Sequence, residues 1–136
     1  TVINDGADTS PDATVAALKR FSQPKTNLIL LTGGTDKNLD YRELAKSIKS
    51  KIPPNNLILL NGSGTKKLID LLYGLKYSSS YLVLESLEDC LKGTLPRLRK
   101  ENNVILFSPA GSSFEKFKNE FDRGAKFNEA VKKILK

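Results

Sequence analysis

Histidine, tryptophan and methionine are absent from this chain, and cysteine occurs once, as Cys90. Without histidine the His-based catalytic triads are excluded, and a single thiol provides neither a zinc-ligand set nor a disulfide framework. Cys90 lies in Leu87-Glu88-Asp89-Cys90-Leu91, where it reads as a buried structural thiol rather than a reactive one. The lack of disulfides fits a reducing compartment, so a cytoplasmic location is expected. No apolar run approaches the roughly 20 residues that span a bilayer, and the polar N-terminal residues do not have the form of a signal peptide. A soluble protein with no membrane partner is the expectation.

Acidic residues are in the minority, 15 against 22 Lys and Arg, for a formal net charge of +7. Such an excess admits nucleic acid, anionic membrane or anionic small-molecule partners. The lysines, however, are spread over several helix candidates, as on solvated faces. No aromatic-rich basic strand, zinc module or recognition-helix pattern accompanies them, and no nucleic-acid partner is expected.

With 136 residues, 39% of them hydrophobic, the chain can bury one sizeable core and is too short for two ordinary domains. Short apolar runs alternate with amphipathic patterns. Strand candidates are Val2-Ile3, Leu28 to Leu31, Leu57 to Leu60, Tyr81 to Leu84 and Val104 to Phe107. Several are apolar at consecutive positions, as parallel strands covered on both faces should be. Helix candidates fall at about 10–22, 40–50, 64–75, 86–100 and 112–135, the last interrupted by Gly124. Ser10-Pro11, Asp40 with Glu43, Ser86 with Asp89 and Ser112 with Glu115 have the form of helix starts. Repeated βα units predict an α/β domain, an open and mostly parallel sheet with helices on both faces.

Ligands of such sheets gather beyond the carboxyl ends of the strands, so the segments that follow strands carry the functional signal. Gly62-Ser63-Gly64 lacks the third glycine of a dinucleotide fingerprint and reads as a turn. The Gly-x-x-x-x-Gly-Lys-Ser/Thr phosphate loop does not occur, so the chain has no complete nucleotide-hydrolysing apparatus. In Gly33-Gly34-Thr35-Asp36-Lys37 two glycines after a strand allow unusual backbone angles. Lys37 is then either a point charge suited to a carboxylate or a solvated turn lysine. At Ser108-Pro109-Ala110-Gly111-Ser112-Ser113 a buried strand delivers a small polar loop onto a helix start, the setting of an anion site. Ser112 with Glu115 is the natural N-cap, which leaves Ser113 as either a ligand contact or an ordinary first-turn residue. Asp5 is either a site carboxylate or a turn residue at a strand end.

Three stretches resemble the Mur ligase family of amide-forming enzymes, in its D-glutamate-adding branch. They are Ile3 to Thr14, Gly33 to Tyr41, and Ser108 to Gly124, in the family's order along essentially the whole chain. The resemblance implies a Rossmann-like C-terminal domain, spanning 1–136, that binds the incoming amino acid, with UDP-binding and ATP-binding domains upstream and outside this chain. It implies that Thr9, Lys37 and Ser113 hold D-glutamate and that Asp5 lies at the nucleotide. ATP and Mg²⁺ are the implied cofactors, held mainly by the central domain, and UDP-N-acetylmuramoyl-L-alanine is the second substrate. The implied partners are the chain's own upstream domains. No catalytic residue or metal ligand is implied here. Three departures stand: Ala7 where the family commonly has lysine, Gly111 where it usually has cysteine, and Glu120 where an aromatic usually follows Asn119. A sibling ligase with another amino acid, such as folylpolyglutamate synthase, and a non-catalytic α/β module are the alternative readings.

Overall fold

The apolar runs do become a parallel sheet. The structure is a computed structural model that describes residues 2–4, 10–34, 38–108, 125, 128, 129 and 131–133. In chain order its elements are β1 (Val2–Asn4), α1 (Pro11–Phe21), β2 (Asn27–Gly33), α2 (Arg42–Lys51), β3 (Leu57–Leu60), α3 (Ser63–Gly74), β4 (Leu82–Leu84), α4 (Leu87–Thr94) and β5 (Asn103–Phe107). Short 3-10 turns cover Pro54–Asn56 and Leu95–Arg97. The described residues between 125 and 133 are helical. The sheet order is β1-β5-β2-β3-β4, and each pairing is parallel.

Side chains alternate across a strand, and both faces of this sheet are covered. Leu28, Leu30, Leu57, Leu59 and Leu106 face one way, against Leu18 of α1, Leu44 and Ile48 of α2, and Leu68 and Leu72 of α3. Ile29, Leu31, Ile58, Leu60, Ile105 and Phe107 face the other way, against Leu87, Cys90 and Leu91 of α4, with Val131 packed alongside. Two-sided burial is why β2 and β3 are apolar at successive positions. Cys90, at 1% exposure, is part of that second core, as its apolar surroundings in sequence suggest. The open α/β architecture with helices on both faces is therefore as expected from the sequence. Among the described residues no helix is long and apolar enough to cross a membrane.

At the amino end of the sheet an amide network ties the strands together. Asn27 donates from Nδ2 to the Asn103 side chain at 2.8 Å and to the Arg97 carbonyl at 2.9 Å, and Asn56 donates to Asn27 Oδ1 at 2.8 Å. This end is closed by its own polar groups, which leaves the carboxyl end for ligands.

The helix starts follow the sequence in two of the three described cases. Ser10 Oγ accepts from the Ala13 N–H at 3.2 Å with Pro11 at the first helical position, and Ser86 Oγ accepts from the Asp89 N–H at 3.0 Å. Ser10→Ala is expected to lower stability by about 0.5–2 kcal/mol in denaturant titrations of the chain, and an unchanged midpoint would refute the capping role. The third start differs. Tyr41 is the N-cap of α2 and makes no side-chain cap bond, because Asp40 turns to Arg42. Its carboxylate accepts from the Arg42 backbone N–H at 2.9 Å and from the guanidinium at 2.7 Å. Those hydrogen bonds hold the Asp40 pKa down at about 2. The helix expected over 86–100 is also shorter: α4 ends at Thr94 and gives way to a 3-10 turn at Leu95–Arg97, because Pro96 has no N–H to continue the helical ladder and its ring crowds the carbonyl four residues back.

Candidate substrate site at the carboxyl edge of the sheet

An open α/β sheet offers a crevice where neighbouring strands lead to helices on opposite faces. Two such places occur among the described residues. The first lies between β3, which leads to α3, and β4, which leads to α4 on the other face. It is bridged. The Asn61 N–H donates to the Leu84 carbonyl at 2.9 Å, and Asn61 Nδ2 donates to the Glu85 carboxylate at 2.8 Å.

The second lies at β5. Its neighbours β1 and β2 lead to α1 and α2 on one face, whereas Val131, downstream of β5, packs on the other. The three strands are adjacent, in the order β1-β5-β2, with Asn4 level with Phe107 and Leu31 level with Phe107 on its other side. The chain therefore leaves Asn4, Gly33 and Ser108 at one edge within three consecutive strands. These are the points from which the three motif-bearing stretches depart.

Asp5, Thr9, Lys37 and Ser113 themselves lie outside the described residues, as do Ala7, Gly111, Ser112, Glu115 and Glu120. What is described is how their segments are rooted. The β2 exit is fixed by the start of α3. The Gly64 N–H donates to the Gly34 carbonyl at 2.8 Å, the Gly34 N–H donates to Thr65 Oγ1 at 3.3 Å, and the Thr65 hydroxyl donates to the Leu60 carbonyl at 2.6 Å. Gly62-Ser63-Gly64 is thus the lead-in to α3, with Gly62 at the N-cap. A Cβ on Gly62 would come 2.7 Å from the Gly34 carbonyl oxygen, which explains glycine there.

The β5 exit has a floor of buried hydroxyls. Thr14 Oγ1 donates to the Ser108 carbonyl at 3.1 Å, Thr32 Oγ1 donates to the same carbonyl at 2.7 Å, and Ser108 Oγ donates to Thr14 Oγ1 at 3.1 Å. The Ser108 N–H donates to the Leu31 carbonyl at 3.0 Å. At the end of β1, Asn4 Nδ2 donates to Asn128 Oδ1 at 2.9 Å. The buried roles of Thr14, Thr32, Thr65 and Ser108 were not apparent from sequence, where Thr14, Thr32 and Ser108 are single polar residues bordering apolar stretches and Thr65 lies between Gly64 and two lysines.

Between the start of α2 and the middle of α3, a groove of about 500 Å³ is lined by Asn38, Leu39, Asp40, Tyr41, Arg42, Lys67, Asp70 and Leu71. Among the described residues no group of three Asp, Glu or Cys side chains could hold a metal ion. The described residues therefore provide no ligand set for Mg²⁺.

Fold and edge together define an open α/β domain with a candidate ligand crevice at β5. Comparison with known proteins goes further. The chain is 40% identical over 128 residues to the UDP-N-acetylmuramoylalanine–D-glutamate ligase of Borreliella afzelii, 41% over 132 residues to that of Treponema pallidum and 36% over 130 residues to that of Aquifex aeolicus. These alignments take in 94%, 97% and 96% of this chain but 27%, 23% and 29% of the respective ligases, so the chain spans about a quarter of the length of these curated relatives. No protein-family model matches it. The chain is homologous to one segment of these D-glutamate ligases, and the resemblance to the Mur ligases read from its motifs is borne out.

Proposed function

We propose that this chain is the C-terminal, amino-acid-binding domain of a UDP-N-acetylmuramoylalanine–D-glutamate ligase, MurD, acting in the cytoplasm in peptidoglycan synthesis. The observation that carries this reading is the sheet order. Three motifs separated by up to about a hundred residues in sequence depart from three adjacent strands at one edge. In this reading Thr9, Lys37 and Ser113 bind D-glutamate, Lys37 as a cation for a carboxylate and Ser113 beside the N–H groups of a helix start. Asp5 faces the nucleotide. ATP with Mg²⁺, bound outside this chain, serves to activate the carboxylate of UDP-N-acetylmuramoyl-L-alanine as an acyl phosphate, which the D-glutamate amine attacks. The domain's contribution is to hold that amine in place and to close over the activated substrate, which is catalysis by positioning.

The test is phosphate release from ATP by the full-length protein with UDP-N-acetylmuramoyl-L-alanine, alongside the chain 1–136 alone. Release that depends on D-glutamate in the full-length protein, with none from the isolated and folded chain, is the expected result. Release stimulated by another amino acid in place of D-glutamate would move the chain to a sibling ligase. ATP hydrolysis by residues 1–136 alone would overturn the domain assignment.

A further inference from the structure

Thr14 and Ser108 are 0% exposed and Thr32 is 1% exposed, yet their hydroxyls lie beneath the β5 gap with no route to water. Burying a hydroxyl is costly unless it is hydrogen-bonded, and apolar groups of the same shape would fill such positions without that cost. All three converge on one atom or on each other: the Ser108 carbonyl accepts from both threonines, and Ser108 Oγ donates back to Thr14. Their positions in the chain give the cluster its meaning. Thr14 sits in the first turns of α1, just after the stretch that carries Asp5 and Thr9; Thr32 directly precedes Gly33-Gly34 and the stretch with Lys37; Ser108 directly precedes the stretch with Ser113.

We propose that Thr14 and Thr32 are positioning residues for D-glutamate: by clamping the single Ser108 carbonyl from two sides they fix the relative placement of the three segments that form its pocket. This rests on the ligase reading above. Among the described residues this cluster joins α1, β2 and the end of β5 at a single carbonyl, and a displacement near 1 Å in a site assembled from separate segments is worth up to about a hundred-fold in rate. The hydroxyl of each threonine matters in this account and its methyl does not. ATP, held elsewhere, should be insensitive to the cluster.

The experiment uses the full-length ligase with Thr14→Val, Thr32→Val, Thr14→Ser and Thr32→Ser, varying D-glutamate and ATP separately and recording thermal melts. Each valine variant, assayed well below its melting temperature, is expected to raise the KM for D-glutamate about ten-fold or more and to leave the KM for ATP within about two-fold. Each serine variant is expected to restore the D-glutamate KM. If the valine variants do not fold, Thr32→Cys replaces them, with similar volume and only a weak S–H donor, and a raised D-glutamate KM is again expected. Valine or cysteine variants with wild-type D-glutamate KM, or with the KM values for D-glutamate and ATP raised alike, would make the cluster structural filling and overturn the proposal. A wild-type enzyme indifferent to D-glutamate would instead defeat the ligase reading, and the positioning role with it.

Discussion

In a full-length enzyme, Lys37→Ala is expected to lower kcat/KM for D-glutamate by about ten- to a hundred-fold while the KM for ATP stays nearly constant. A charge-assisted hydrogen bond to a carboxylate contributes roughly 1.5–3 kcal/mol, and 1.4 kcal/mol is a factor of ten. The loss should fall on binding of one substrate because the proposed contact is with the amino acid alone. Collapse of the segment is not the expected cause. Its upstream root at Gly34 is held on both backbone groups by Gly64 and Thr65, neither of which the substitution touches. Steady-state kinetics with each substrate varied, together with a melt to show an intact fold, decides the matter. Unchanged D-glutamate kinetics would return Lys37 to the solvated turn that its sequence also allows.

Gly33→Ala is expected to destabilise the chain by about 3 kcal/mol or more, a large part of the 5–15 kcal/mol that holds a domain together. Two effects add. Gly33 has φ 122, a region that L side chains rarely adopt, so a Cβ brings backbone strain. The same Cβ would lie 2.3 Å from the Leu60 carbonyl oxygen and 2.6 Å from Thr65 Oγ1. Neither atom can yield cheaply: the carbonyl is part of β3, and the Thr65 hydroxyl is engaged with Leu60 and Gly34. Gly74 provides the contrast. It is helical, has a normal φ and would meet nothing within 4 Å, so Gly74→Ala should raise stability by about 0.4–1 kcal/mol. Denaturant titrations of the two variants should move in opposite directions, and a Gly33→Ala protein as stable as the parent would refute the geometry of the β2 exit.

The elements were legible in the sequence wherever burial imposed a pattern. β2, β3 and β5 announce themselves because both faces of each are covered, so Leu28-Ile29-Leu30-Leu31 could not easily be anything else. Local signals failed where two local choices competed. Asp40 followed by Glu43 has the spacing of a capping box, but Arg42 was nearer and better charged, and a surface ion pair displaced the cap. Pro96 was an available stop signal within the helix expected over 86–100. The motif stretches were legible as chemistry but not as neighbours, since nothing in a βα pattern says that the last strand enters between the first and second. The hydroxyl floor was hidden for the same reason: Thr32 and Thr14 lie 76 and 94 residues from the Ser108 carbonyl they bind.

That late entry of β5 also sets the order in which the molecule can be made. As a ribosome delivers the chain, β2 can pair with β3 and β3 with β4 as each emerges, collecting α2 and α3. β1 has no such neighbour: Val2 pairs with Ile105 and Asn4 with Phe107, so it must wait for almost the whole chain. Until Asn103 to Phe107 emerge, β1 hangs loose and the outer side of β2 is a bare edge, open to pairing with another chain. Contacts this remote in sequence close slowly. The growing chain is therefore most exposed to proteases and to aggregation just before its final strand slides home, and the ligand edge comes into being in that same last step.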